Sequence, residues 1–346
     1  MRIAVDAIGG DQGPAVVVPG AVDGARMFNV ALCLVGPEAV IRHHLSSVDT
    51  AGVDVHVVDA PDAIEMDEHP AQAIRRKPRA SIPVALREVQ EGRANGVVSA
   101  GNSGAVMAAA LLVLGRIAGI DRPAIGSFLP SVRSRTLVLD LGAVTDPKPH
   151  HLVQFALMGR VYAERILDLS NPTVGLLSNG EEPTKGNQFV QEVYPLLAGV
   201  DGLNFKGNVE GKDVPLGTVD IVVTDGFTGN VALKVAEGVA TMMTDLLRSE
   251  LTATLPRKLA SLMLRPAFRT VRARLDYSEI GGAPLLGVDG TVVIAHGRSD
   301  VKAIMNAVGV ARRSVEADLP GGIREAVAGP RGGARKSRSR LLCPRR

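Results

Sequence analysis

The chain has no tryptophan, and its three tyrosines and seven phenylalanines make up only 3% of 346 residues. Single-stranded nucleic acid is commonly held by stacking bases on aromatic faces, of which this sequence has few. Nucleic acid is therefore not an expected partner. Cysteine is also scarce. Cys33 and Cys343 are too few for a disulfide framework. Cys33 lies inside the apolar run Val30–Val35 and reads as a packed thiol rather than a nucleophile. No charged-then-apolar leader precedes the first β-branched run, and no stretch of about 18 apolar residues occurs. The expected location is cytoplasmic, without a membrane span. Neither G-x-G-x-x-G nor G-x-x-x-x-G-K-[ST] is present, which removes the main sequence support for a nicotinamide or nucleotide cofactor. No cofactor is expected.

What is present is apolar residue in quantity, 46% of the chain, enough for a large core built as one unit or as two lobes. Residues 331–346 carry seven basic side chains and no acid, more than the whole formal charge of +3, so the body is net negative. That tail is expected to be a disordered, solubilising segment. No tandem repeat or interior low-complexity segment interrupts residues 1–330, which read as a single α/β catalytic domain.

Short β-branched runs occur at Ile3–Val5, Val30–Val35, Val53–Val58, Gly96–Ser99, Ala124–Leu129, Thr136–Leu141, Thr173–Leu177, Val219–Thr224 and Thr291–Ala295. Stretches with helical periodicity, such as Ala105–Leu114, His151–Leu167 and Val231–Leu251, separate most of them. Continuous apolar strands alternating with helices imply a mostly parallel sheet sandwiched by helices, a Rossmann-like α/β class.

Three of these strands run into turns rich in glycine, asparagine and hydroxyl residues, at Ser99–Gly104, Ser178–Asn187 and Thr224–Asn230. Each turn is expected to open a helix. At the carboxyl edge of a parallel sheet, backbone N–H groups and helix dipoles favour an anion. The pattern points to an enzyme acting on phosphate or a phosphorylated compound. Asp6, at the end of the first run, either binds substrate, orients a basic partner or is a structural turn acid.

Taken together, the motifs resemble the bacterial phosphate acyltransferases of phospholipid synthesis, the PlsX family. The resemblance rests on Gly9-Gly10-Asp11, Ser99-Ala100-Gly101-Asn102, Leu111–Arg116 with Gly119–Pro123, and Lys148-Pro149 with His151–Ala156. It continues through Gly180-Glu181-Glu182 with Thr184–Asn187, Asp225–Lys234, Gly281–Leu285, and His296-Gly297 with Ser299-Asp300, in order over about residues 1–310. It implies conversion of a fatty acyl group on acyl carrier protein, with inorganic phosphate, into acyl phosphate and free carrier protein. That is the first committed step toward phosphatidic acid. It also implies a fold similar to phosphotransacetylases and to isocitrate and isopropylmalate dehydrogenases, with a protruding helical hairpin. The sequence departs from the family pattern at Gln12, Ser103, Val144, Ser178-Asn179 and Arg298.

A thioester is already activated, so phosphate can attack it directly and no covalent enzyme nucleophile is needed. On this resemblance Lys185 neutralises phosphate and transition-state charge, and Asn230 donates to the oxyanion or positions phosphate. Gly101, Asn102, Ser103, Gly104, Asn187, Asp225, Gly229, His296 and Ser299 are the further phosphate- or substrate-binding candidates. Backbone N–H groups around Gly101–Ser103 and Gly229-Asn230 would complete an anion cradle. Alternatives remain open: Lys185 as a turn lysine paired with Glu181 or Glu182, the asparagines as turn formers, His296 as a turn histidine bonded to backbone. His150-His151 beside Asp146 is not expected to bind metal, because adjacent histidines on a helix point apart.

From Leu251 to Leu275 six basic residues, Arg257, Lys258, Arg265, Arg269, Arg272 and Arg274, face no acid. Leu255, Leu259, Leu262, Met263, Leu264 and Phe268 interleave with them, with interruptions expected at Pro256 and Pro266. This basic amphipathic arm either lies on an anionic bilayer, docks acidic carrier protein, or packs a dimer as an ordinary hairpin. The resemblance favours peripheral contact with the inner face of the membrane and a homodimer. The other readings are a short-chain phosphate acyltransferase using acyl coenzyme A, a noncatalytic lipid-interface scaffold and a decarboxylating dehydrogenase.

Overall fold

Strands buried on both faces need apolar residues at successive positions, and the apolar runs of this chain become such strands. The computed structural model describes residues 1–132, 135–275 and 281–328. The basic tail 331–346 with Cys343, and the side chains of Arg269, Arg272 and Arg274, lie outside the described residues. In chain order β1 (Arg2–Asp6), α1 (Pro14–Phe28), β2 (Ala31–Gly36), α2 (Glu38–Leu45) and β3 (Val55–Asp59) come first. Next are α3 (Pro70–Arg76), α4 (Ser81–Gln90), β4 (Gly96–Ser99) and α5 (Ser103–Val113). The middle of the chain forms β5 (Ala124–Ile125), β6 (Ser127–Pro130), β7 (Arg135–Leu139), α6 (Pro149–Ile166) and β8 (Thr173–Ser178). It continues with α7 (Gln188–Ala198), β9 (Asn204–Glu210), α8 (Asp213–Leu216) and β10 (Ile221–Val223). A hairpin of α9 (Gly226–Thr252) and α10 (Leu255–Leu275) precedes β11 (Ala283–Leu286), β12 (Thr291–Ile294), α11 (Val301–Glu316) and α12 (Leu319–Ala328).

The expected α/β class is found, but the strands divide between two sheets. One has the order β3-β2-β1-β4-β12-β11-β5, the other β6-β7-β10-β8-β9. Pairing is parallel except where β11 meets β12 and β5, and where β6 meets β7. The run expected as one strand over Ala124–Leu129 is broken at Gly126, whose N–H turns to the Pro284 carbonyl. β9 and β11 have no counterpart among the expected strands. β9 reads as polar and glycine-containing, and it is an edge strand paired only with β8 through an irregular register.

Alternation along the strands separates the cores. In the first sheet Ile3, Val5, Leu32 and Leu34 meet Val18 and Val22 of α1 and Ile304 and Val308 of α11. Ala4, Cys33 and Val35 face the other way, onto Leu86 of α4 and Val106 of α5. Burial pushes the Cys33 thiol up to about 12, which leaves it protonated and inert, as a packed thiol should be. In the second sheet Leu137, Leu139, Val174, Leu176, Ile221 and Val223 pack on Phe155 and Tyr162 of α6, while Val138 and Val222 face Val209 and Val214.

The hairpin is longer than the expected arm. α9 alone supplies 27 residues, and α10 starts with Pro256 in its first turn and continues through Pro266. Pro256 is tolerated because first-turn N–H groups lack intrahelical acceptors anyway.

One side chain joins the two sheets. Asp140, just past β7, is fully buried. It accepts hydrogen bonds from Ile125 N–H in the first sheet (2.9 Å) and from Ala143 (3.1 Å) and Val144 (2.6 Å) in the turn behind it. α9 starts against the same residue. A Cβ on Gly226 would lie 2.6 Å from the Asp140 carboxylate, and one on Gly229 would overlap its carbonyl oxygen. Burial nevertheless raises the Asp140 carboxyl from 3.8 to about 6, against the lowering effect of those N–H groups. The folded chain therefore binds this proton more tightly than the unfolded chain, so the group's contribution to stability declines as pH rises from 3.8 to about 6. The full effect is about 3 kcal/mol. In urea unfolding across that range, wild-type stability minus that of Asp140→Asn should fall by about 1 kcal/mol or more as pH rises. A difference that stays flat with pH contradicts the assignment.

Candidate active site

β10 and β8 lie side by side and parallel, so the turns leaving them emerge at the same edge of the second sheet. After β10, Asp225 caps α9 by accepting the Thr228 N–H at 2.8 Å. Gly229 directs its N–H to the Asp225 carbonyl, 2.9 Å away, so that N–H is not available to an anion as expected. Asn230 follows on the exposed side of the first turn, against Gly142 of the Asp140 turn. The close approach that forbids a side chain at Gly229 thus fixes where the Asn230 carboxamide can reach.

After β8 the loop to α7 is tied down at several points. Asn179 accepts the Gly186 N–H (2.9 Å), Asn208 donates to the Glu182 carbonyl (2.8 Å), and Gln191 donates to the Thr184 carbonyl (2.9 Å). Asn187 caps α7 through the Val190 N–H at 2.9 Å, which gives it a structural task. Lys185 projects from this braced loop and is exposed. Its ammonium has no ion pair with a described residue. Glu181, considered above as its partner, pairs with Lys212 instead. No hydrogen bond among the described residues joins Lys185 to Asn230.

The turns of the first sheet are built differently. Asp6 ends β1 fully buried, and the Ser99 hydroxyl donates to it at 2.7 Å. Burial raises the Asp6 carboxyl, while hydrogen bonds from Ser81, Ser99 and the Ile8 and Gly9 backbone act against that rise. A Cβ on Gly9 would lie 2.5 Å from the Asp6 carboxylate and 2.7 Å from the Gly101 nitrogen, so only glycine fits. The Gly101 N–H, expected in an anion cradle, donates to the Ser99 hydroxyl at 3.1 Å. Asn102 is buried and its carboxamide is committed as well. Its oxygen caps α5 through Ala105 N–H, and its nitrogen donates to the carbonyls of Glu65, Met66 and Glu68. Gly104 packs against Pro70, where a Cβ would lie 2.7 Å away. Ser103 alone of this turn presents an exposed side chain. Asp6, Gly101, Asn102 and Gly104 thus hold the frame of the site.

His296 connects the two sets of turns. It follows β12, and its Nδ1 accepts the Arg298 N–H at 3.1 Å, which assigns the proton of the neutral ring to Nε2. Nε2 lies 3.4 Å from the ammonium of Lys234, one turn beyond Asn230 on α9. Burial, then Lys234, lowers the His296 pKa, so the ring is neutral near pH 7. Two donors then face each other, an arrangement that an anion between or beside them relieves. Lys234 is held by Glu237 at 3.0 Å. Ser299 is buried behind this turn, its N–H on the His296 carbonyl, and Asp300 caps α11.

Asp140, Lys234 and Glu237 were not among the expected site residues. The available signal was position: Lys234 sits one turn from Asn230, and Asp140 ends an apolar run before a glycine turn. The geometry expected for His150-His151 is corrected. Their rings do not point apart but lie 4.3 Å between centroids, and the nearby carboxylate is Asp121, 3.1 Å from His150 Nε2, rather than Asp146. A second cluster, Glu181, Glu210 and Asp213, surrounds the Lys212 ammonium.

A family profile described as "Fatty acid synthesis protein" matches residues 1–321. The chain is 51% identical over 317 residues to a phosphate acyltransferase of Desulfitobacterium hafniense (strain Y51), covering 91% of this chain and 94% of the relative. It is 50% identical over 320 residues to a phosphate acyltransferase of Dictyoglomus turgidum, covering 92% and 95%. Among solved structures, a phosphotransacetylase from Streptococcus pyogenes superposes with a TM-score of 0.64 at 17% identity, covering 91% of this chain and 94% of that one. The EutD phosphotransacetylase from Staphylococcus aureus gives 0.60 at 14% identity, covering 91% and 94%. At those identities the likeness is one of fold. At half-identity over nine-tenths of its length, the chain belongs to the phosphate acyltransferase family.

Proposed function

We propose that this chain transfers a fatty acyl group from the thioester of acyl carrier protein to inorganic phosphate. A phosphate oxygen attacks the thioester carbonyl, the C–S bond breaks, and acyl phosphate and the carrier thiol are released. The names of the relatives support acyl transfer to phosphate. The observation that carries the reading is Lys185: an ammonium without a carboxylate partner among the described residues, on a loop braced by three side chains, leaving the strand next to the one that opens α9. Its charge stabilises phosphate and the developing oxyanion, and Asn230 donates a hydrogen bond to one of them. His296 Nε2–H adds a donor from the first sheet's side, and Lys234 adds one from α9. This arrangement needs no covalent enzyme intermediate.

The hairpin supports two further parts of the proposal. Val231, Val235, Val239, Met243 and Leu247 recur every fourth residue on α9, all exposed. Such a stripe is suited to a second copy of the chain, making a homodimer. On α10, Leu255, Leu259, Leu262 and Met263 form an exposed apolar face beside Arg257, Lys258 and Arg265. That combination suits peripheral binding to the anionic inner face of a membrane from the cytoplasm. Among the described residues no helix is long and apolar enough to cross a membrane.

Purified protein given palmitoyl carrier protein and phosphate should release free carrier thiol and acyl phosphate together, and neither when phosphate is omitted. Lys185→Ala and Asn230→Ala should each lower kcat/KM on the order of 100-fold without a comparable loss of folding stability. Wild-type kinetics in both would defeat the assignment. Release from palmitoyl coenzyme A but not from the carrier protein would favour the acyl coenzyme A reading. In liposome flotation, Leu262→Glu/Met263→Glu should abolish the recovery of wild type with anionic vesicles. Equal flotation of the two proteins, or none of either, would remove the membrane role from α10.

A further inference from the structure

Three motifs that the proposed transfer does not use come together elsewhere. The end of α5, the loop 115–123 and the start of α6 surround a cleft of about 620 Å³, lined in part by Arg116, Arg122, Lys148, His150 and His151. We propose that this cleft binds a phosphate ester.

The charge around it is lopsided. Arg116, Arg122 and Lys148 are permanent cations, and Asp121 is the one carboxylate among the lining residues. Asp121 is already shared, accepting from Gln154 Nε2 at 3.2 Å and lying 3.1 Å from His150 Nε2. Arg116 donates to the Asp121 backbone carbonyl at 2.6 Å, a contact that leaves its charge uncompensated. Neither Arg122 nor Lys148 has an ion pair with a described residue. α6 is an 18-residue helix with proline at its start and no acid in its first turn, so nothing on the helix offsets its positive end. Burial, then His150, lowers the His151 pKa; Asp121 opposes them, and Arg122 and Lys148 add smaller effects in the lowering direction. A divalent cation would be repelled by these groups, which disfavours Asp121, His150 and His151 as a metal site.

Donors converging from two segments, including guanidinium forks, suit the several oxygens of a phosphate group better than the two of a carboxylate. The cleft is far larger than a phosphate ion requires, so it leaves room for an organic arm. If the transfer proposed above is correct, the donor thioester sits on a phosphopantetheine arm, which carries such a phosphate. The choice of ester rests on that reading. The cationic lining of Arg116, Arg122 and Lys148 is independent of it.

Calorimetric titration of the full chain separates the sources. The probes are 4′-phosphopantetheine, pantetheine and inorganic phosphate, each against wild type, Arg122→Ala/Lys148→Ala and Lys185→Ala, with melting curves to verify folding. Phosphopantetheine should bind wild type about tenfold or more tighter than pantetheine. That advantage should vanish in Arg122→Ala/Lys148→Ala and persist in Lys185→Ala. Equal binding of the two pantetheines, or an advantage lost only in Lys185→Ala, would overturn the proposal. Inorganic phosphate binding that depends on Arg122 and Lys148, with no gain from the pantetheine arm, would overturn the ester and name the free ion as the occupant. Turnover is not measured, so failure of the transfer assay and failure of this site are separate results.

Discussion

The buried carboxylate of Asp140 is the constraint on which the arrangement depends. It lies where the second sheet's β7 ends, accepts an N–H from β5 of the first sheet, and closes the turn that runs to α6. α9 begins so close to it that Gly226 and Gly229 cannot carry side chains. The backbone repeats the link at the same point, where the Leu141 N–H donates to the Ile125 carbonyl at 3.1 Å, and Ala124 and Leu286 of the first sheet share a core with Leu137 and Leu139 of the second. An apolar residue here would leave the part-buried Ile125, Ala143 and Val144 N–H groups without this acceptor. The raised pKa indicates that burial outweighs the hydrogen bonds for the charged form, yet the group is retained. Its value is geometric: it places Asn230 beside Gly142 and directs α9 toward His296.

The strands were legible where burial on both faces writes apolar residues at successive positions, as in β1, β2 and β4. β9 was not, because an edge strand tolerates Lys206 and Asn208 and carries no such run. The Ala124–Leu129 run passes from one sheet to the other at Gly126, and a single glycine inside an apolar run does not announce whether it is a bulge or a break. The glycine turns were legible as places, but not as uses. Which N–H groups remain for a ligand depends on partners remote in sequence. Ser99 reaches Asp6 across 93 positions, and Asn102 holds the Met66 carbonyl across 36. No local pattern around Gly101 could show that its N–H was already taken. The rings of His150 and His151 illustrate the same point, since side-chain torsions bring neighbours together that helical spacing separates.

The two lysines of the site show how one fold supplies both fixed and available charge. Lys234 is held by Glu237, so its ammonium is positioned beside His296 at the expense of part of its field. Lys185 has the opposite arrangement. Its loop is braced at Gly186, Glu182 and Thr184 by Asn179, Asn208 and Gln191, while no carboxylate among the described residues pairs with its ammonium. An exposed unpaired lysine costs little in the empty protein, because water solvates it well. In the proposed function, an acyl donor covering the loop would exclude that water, and the same charge would act at a lower effective dielectric and gain in strength. Pairing Lys185 with Glu181 would have surrendered that gain in advance. Glu181 pairs with Lys212 instead, as does Glu210.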